Sequence, residues 1–191
     1  MLGLTGHGRT SSEGKEVWRG DFVLFWKPPS VFGQWTPSRF EVQGIWYTCA
    51  EQYMMAEKAR LFADEATRQQ ILSTSDASVM KKLGRQVRNF SPEVWDAKSQ
   101  DIVFEGNMAK FLQNESMCNA LMETGSKTLV EASPFDTVWG IGFAADHAYA
   151  TQPARWEGQN KLGSVLMQVR QCLRASTSTA GGELRREGVG R

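Results

Sequence analysis

The chain has 191 residues, 41% hydrophobic and 23% charged, with a formal net charge of +1 at pH 7. This is the ordinary composition of a globular protein with room for one sizeable core. It gives no overall pull toward nucleic acid or membrane, though a local basic cleft is compatible with it. The longest apolar runs fall far short of the roughly 20 residues that span a bilayer. The opening MLGLTGHGRTSSEGKEVWRG lacks the apolar stretch of a signal peptide. The expected setting is therefore intracellular, cytoplasm or nucleus, without a membrane partner.

In chain order, residues 1–19, rich in Gly, Ser and Thr, read as a tail. DFVLFW (21–26) predicts a short strand, KPPS a proline-fixed turn, and FEVQGIWY (40–47) two extended pieces around a glycine. After Thr48 the pattern becomes helical. CAEQYMMAEKARLFA predicts the first long helix, with Thr48 as N-cap and Glu51 three positions later. DEATRQQILSTS predicts a second helix. DASVMKKLGRQV predicts a third, capped by Asp76, with Gly84 near its end. SPEVWDAKSQDIVFEGNMAKFLQ predicts the longest, capped by Ser91 with Pro92 at its first position. ESMCNALMETG predicts a fifth helix stopped at Gly125, SKTLVEAS a strand, SPFDTVWGIGF a turn-rich loop, and NKLGSVLMQVRQCLR the last helix. Residues 175–191 have few apolar side chains and read as a second tail. The expected fold is α+β and predominantly α-helical, one compact domain over 20–174 with a small N-terminal β-element.

Cys49, Cys118 and Cys172 are odd in number and far apart, which fits reduced thiols better than a disulfide framework. His7 and His147 are isolated from any cysteine pair, so no zinc-type spacing exists. Neither a metal nor a cofactor is expected, and acid–base groups must come mostly from other residue types.

Polar and aromatic residues that packing does not explain fall in a few places. Glu51, Met55 and Lys58 lie four and three apart, on one stripe of the first helix. Glu51 is readable as the third residue of a capping box and Lys58 as a surface lysine; both are equally readable as the lining of a cleft. VFGQWTPSRF (31–40) is a constrained loop around Trp35, either self-packed or presenting its ring. Trp95 sits one turn into the long helix, as core or as stacking wall. EASPFDTVWGIG (131–142) holds Glu131, Asp136, Trp139 and Gly140 after a strand, and WEGQNKLG (156–163) holds Asn160 before the last helix. There are seven tryptophans, and four of them (Trp35, Trp95, Trp139, Trp156) lie at loops or helix starts. Their faces suit a nucleotide-like ligand better than a small acid.

Read in order, F-W in the N-terminal loop, AEQYMMAEKARLF, MKKLGRQV, EVWDAKSQDIV, MAKFLQN, LMETGSKTLVEASPFDTVWGIG and WEGQNKLGSVLMQVRQCL resemble the NADAR (YbiA-like) family across about residues 22–174. The resemblance implies a compact, mainly helical domain with N-glycosidase activity. The family cleaves N-glycosidic bonds of early riboflavin-pathway intermediates or removes ADP-ribose from guanine in nucleic acid. Carried over by motif, Glu51 is the catalytic glutamate and Lys58 the helix lysine. Trp95 is the tryptophan after S-P-x-x, and Asp136 is the loop acid of D-x-x-W-G. Trp35, Trp95, Trp139, Gly140 and Asn160 are the expected substrate contacts. VFGQWTP departs from the phenylalanine-rich, asparagine-containing turn common in the family, a place where substrate selectivity could change.

The expected reaction is hydrolysis of the bond between ADP-ribose and guanine in nucleic acid, single strands preferred, by a monomer. Lys58 attacks C1 as an imine-forming amine with Glu51 shuttling protons. The alternative route is direct attack by water with Glu51 or Asp136 as base. Alternative functions are turnover of a riboflavin intermediate, an ADP-ribose-binding module without catalysis, and a helical interaction protein.

Overall fold

A computed structural model describes residues 16–183, with side chains described through residue 176. The described chain runs β1 (Val17–Arg19), β2 (Phe22–Phe25), β3 (Phe40–Val42), β4 (Ile45–Tyr47), α1 (Ala50–Leu61), α2 (Glu65–Leu72), α3 (Ala77–Gly84), α4 (Pro92–Gln113), α5 (Glu115–Glu123), β5 (Thr128–Glu131), a 3-10 turn (Pro153–Arg155) and α6 (Lys161–Glu183). It is an α+β fold dominated by helix, as the sequence predicts. Both tail boundaries move. Val17–Arg19 is a strand because it pairs antiparallel with β2, and residues 1–15 lie outside the described residues. The last helix does not stop near residue 174 but runs to Glu183; no proline interrupts the stretch that follows Arg174.

Contacts divide the chain into two compact units. One comprises the N-terminal segment through Thr36 together with Thr124–Ser164; the other comprises Pro37–Glu123 and the residues from Val165 onward.

In the first unit β1, β2 and β5 form a three-stranded sheet, β2 in the centre. β2 and β5 are parallel, pairing Phe22 with Thr128 and Phe25 with Glu131. β2 is apolar throughout and β5 at its two central residues, as strands covered on both faces are. Val23, Leu24, Leu129 and Val130 have no exposed surface. Leu24 and Val130 pack with Ala132, Ile141 and Ala150, and Trp156 closes over this cluster with its Nε1 donating to the Ala150 carbonyl at 3.1 Å. The segment 132–160 is irregular but tied by backbone hydrogen bonds; Ile141 N–H donates to Glu131 C=O and Asn160 N–H to Gly140 C=O.

Glycine is required where α6 begins. A Cβ on Gly163 would lie 2.1 Å from the Leu129 carbonyl oxygen and 2.5 Å from Asn160 Nδ2. Backbone cannot yield as a flexible side chain does. Gly163→Ala is expected to cost on the order of 3 kcal/mol, read as a lowered urea midpoint; an unchanged midpoint would show that the helix start slides freely.

In the second unit β3 and β4 make a hairpin turned by Gln43 and Gly44, both at positive φ. Phe40, Tyr47 and Tyr53 form its buried aromatic core, Tyr47 and Tyr53 meeting edge-on at 5.0 Å. Burial raises the pKa of both phenols, that of Tyr53 with help from a hydrogen bond to Glu105. Helix α1 runs through the middle of this unit, and all but three of its twelve residues are buried. Two glycines let neighbours approach it. A Cβ on Gly84 would meet Met55 Sδ, and one on Gly106 would meet the Tyr53 ring. Asp76 caps α3 by accepting from Ser78 N–H and Val79 N–H, and Ser91 caps α4 by accepting from Val94 N–H. Asp64 caps α2 and pairs with Arg88 at 2.6 Å, which holds its carboxyl well below the usual range.

Candidate functional site

The expected cap of α1 is off by one residue. Cys49, not Thr48, is the N-cap, and it makes no side-chain cap bond. The third helical residue is then Gln52. Its Oε1 accepts from Thr48 N–H at 2.7 Å, and its Nε2 donates to the Ile71 and Thr74 carbonyls at 3.1 and 2.8 Å. One amide thus ties the helix start to the end of α2. The capping role read for Glu51 is taken by its neighbour, yet Glu51 is only 6% exposed. A carboxylate buried in the first turn of a helix needs polar or charged neighbours to stay ionised.

Two turns further, Lys58 is half-buried. Its Nζ lies 4.1 Å from the centre of the Phe90 ring and 5.4 Å from that of Trp95. Phe90 is itself held edge-on against Phe62 at 5.2 Å. Burial pushes the Lys58 pKa down, the Arg85 charge adds to that, and the Glu51 carboxylate opposes it. The ammonium therefore sits in an aromatic corner, within the fields of one anion and one cation. Such a lysine has a larger neutral, nucleophilic fraction than a solvated one. Glu51, Lys58 and Trp95 all belong to the second unit, where Lys58 faces the Trp95 ring and feels the Glu51 carboxylate.

Phe90 and Arg85 were not singled out from the sequence. The available signal was an aromatic in RNFSP, directly before a capped helix, where packing on the helix interior is not demanded.

The remaining expected residues lie in the first unit, and the structure gives several of them structural work. Asp136 Oδ1 accepts from Val138 N–H at 2.9 Å and Trp139 N–H at 2.8 Å, so it builds the turn that carries Trp139. Gly140 is buried; a Cβ there would lie 2.9 Å from both the Asp136 and Glu131 carbonyl oxygens, so it serves close packing. Asn160, at φ +52°, is 3% exposed. Its Oδ1 accepts from Glu131 N–H at 3.0 Å and its Nδ2 donates to Leu129 C=O at 2.9 Å. The Asn160 amide thus clips the edge of β5 to the start of α6. Trp139 is partly exposed, and its carbonyl accepts from Leu162 N–H at 3.2 Å. Trp35 is 36% exposed, in a loop where the Ser30 carbonyl accepts from both Gly33 N–H and Thr36 Oγ1.

Among the described residues no group of three or more His, Cys, Asp or Glu is placed to hold a metal ion. No described helix is long and apolar enough to cross a membrane.

Residues 24–174 match the NADAR domain family. The chain is 47% identical over 146 residues to an N-glycosidase of Acanthamoeba polyphaga mimivirus, covering 74% of this chain and 86% of that protein. It is 27% identical over 154 residues to a riboflavin biosynthesis protein of Vibrio vulnificus, covering 79% of this chain but 38% of that longer protein. The solution structure of the Escherichia coli protein YbiA superimposes with a TM-score of 0.69 at 24% identity, covering 84% of this chain and 89% of that one. That likeness establishes the shared fold. With a family match over most of its length and a relative identical at nearly half of the aligned positions, the chain belongs to the NADAR domain family.

Proposed function

We propose that the protein is an N-glycosidase that hydrolyses the bond between ADP-ribose and guanine in nucleic acid, releasing ADP-ribose and the unmodified base. The observation that carries the chemistry is the Glu51–Lys58 pair on one face of α1, with Lys58 against Phe90 and Trp95. The similarity to a protein named as an N-glycosidase supports the reaction class. The aromatic corner favours a base or sugar as the group held there.

Opening of the ribose ring leaves C1 doubly bonded to the guanine nitrogen. The neutral Lys58 amine adds to C1 through its lone pair, and its surplus proton passes by way of Glu51 to the departing guanine nitrogen. The C1–guanine bond breaks and a Lys58 imine remains. Water adds to the imine, Lys58 leaves as the amine, and the freed aldehyde closes again as ADP-ribose. The sum is one water consumed and one C–N bond broken.

The test is release of labelled ADP-ribose from an oligonucleotide modified at guanine. Single strands are expected to react faster than duplex, because extruding a paired base costs a few kcal/mol. Complete retention of label, where a known hydrolase removes it, would overturn the substrate assignment. A second reading follows from the similarity to the riboflavin biosynthesis protein. Turnover of a riboflavin-pathway intermediate in the same assay would keep the reaction class and replace the substrate.

A further inference from the structure

Phe135 is 86% exposed, the highest value among the exposed large apolar side chains of the described residues. Core packing therefore does not account for a phenylalanine at this position. Its loop is nonetheless held firmly: Ser133 Oγ accepts from Phe135 N–H at 3.4 Å, and Asp136 pins the next turn. The ring lies 5.9 Å from that of Trp26, tilted by 48°. Lys27 Nζ is 4.7 Å from the Trp26 ring centre.

Trp26 directly follows β2, and the loop of Phe135 follows β5, whose last residue Glu131 pairs with Phe25. The three side chains thus gather beyond the carboxyl ends of two adjacent parallel strands, where α/β sheets place ligands. At 5.9 Å the two rings are in contact with each other, so no third ring fits between them. What they offer is an open, angled platform with a cation at its rim.

We propose that Trp26, Lys27 and Phe135 form a nucleotide-binding platform for single-stranded nucleic acid. A base stacks on Phe135, and Lys27 meets a backbone phosphate. The chemistry is that of single-strand binding by an aromatic face beside a positive charge. A small ligand would be mostly enclosed, whereas Phe135 projects into solvent, so the adenine of ADP-ribose is the poorer fit. The proposal rests on the nucleic-acid reading of the active site, but it is testable without turnover.

The experiment measures binding of a fluorescent, unmodified single-stranded oligonucleotide to wild type and to Phe135→Ala, with free ADP-ribose as a parallel ligand. Phe135→Ala removes an exposed ring, so the fold is retained, verified by an unchanged melting temperature. Stacking is worth about 1–3 kcal/mol per base, so affinity for the oligonucleotide should fall about 5- to 150-fold. Affinity for free ADP-ribose should stay constant. Lys27→Gln should weaken oligonucleotide binding and flatten its salt dependence by about one phosphate contact. Equal oligonucleotide affinity in wild type and Phe135→Ala would overturn the proposal, as would absence of binding by wild type. A parallel loss for ADP-ribose would overturn it too, assigning the platform to adenine. Failure of ADP-ribose release in the separate turnover assay would leave these outcomes readable.

Discussion

Lys58→Ala is expected to lower turnover about a hundred- to ten-thousand-fold, and Glu51→Ala by a similar factor, the range for loss of a positioned proton-transfer or nucleophilic group. The double variant should lose little more than the worse single one, because residues that act as one unit are not additive. The structural basis is the shared stripe of α1. Glu51 is buried in the first turn, and the Lys58 ammonium is partly desolvated against Phe90 and Trp95. The imine route carries a sharper consequence. Borohydride added during turnover should reduce the intermediate and leave a sugar-sized mass adduct on the peptide containing Lys58. If no adduct forms and Lys58→Ala turns over almost normally while Glu51→Ala does not, the lysine is not the nucleophile. Glu51 with water then carries the reaction.

The second large effect concerns stability. Lys110 on α4 has no exposed surface, and burial pushes its pKa down to about 7, an effect slightly opposed by Cys49. Its Nζ lies 5.1 Å from the centre of the Phe111 ring. Below about pH 7 folded and unfolded chains both hold the proton, and the native state carries the charge buried. Between about 7 and the ordinary lysine value of 10.5 the native side chain is neutral while the unfolded one still binds a proton, so stability rises with pH. Above that window neither state carries the charge and the cost is gone. Lys110→Met should therefore stabilise the protein on the order of 1–4 kcal/mol near pH 6, the gain seen when buried charges are replaced by apolar groups of similar volume. The gain should shrink as pH climbs toward 10. Chemical denaturation of both proteins at pH 6, 8 and 10 reads this directly. A variant less stable by the same amount at every pH would mean that the lysine is held by contacts insensitive to its charge.

The sequence made most of the helices legible because their ends are written in local chemistry. Asp76 before ASVMKKLG and Ser91-Pro92 before VWDAK specify caps that depend on neighbouring residues alone. What depends on distant partners was not legible. Thr48 and Cys49 are both plausible starts for α1; the choice follows from Gln52 reaching the carbonyls of Ile71, Leu72 and Thr74, some twenty residues away. Lys110 looks like any helical lysine until the packing around it is known. Glu51, Lys58 and Trp95 stand out in the sequence because helical spacing and family motifs coincide there. The clip made by Asn160 was not legible, because a conspicuous polar residue before a helix suits a ligand and a backbone clip equally. Only the positions of Leu129 and Glu131 reveal the clip.

The parallel pairing of β2 with β5 also has a consequence for how the chain is made. Phe22 and Thr128 are joined in register across roughly a hundred intervening residues. At synthesis rates of about 5–20 residues per second, the β1–β2 ribbon leaves the ribosome about 5–20 s before its third strand exists. During that interval the apolar run FVLF has an open edge of the kind that recruits foreign strands. Meanwhile the helices α1 to α4, rich in local contacts, are free to form at once. The first strands translated are thus the last to be completed, and the nascent chain is most exposed to misassembly just before Thr128–Glu131 emerges.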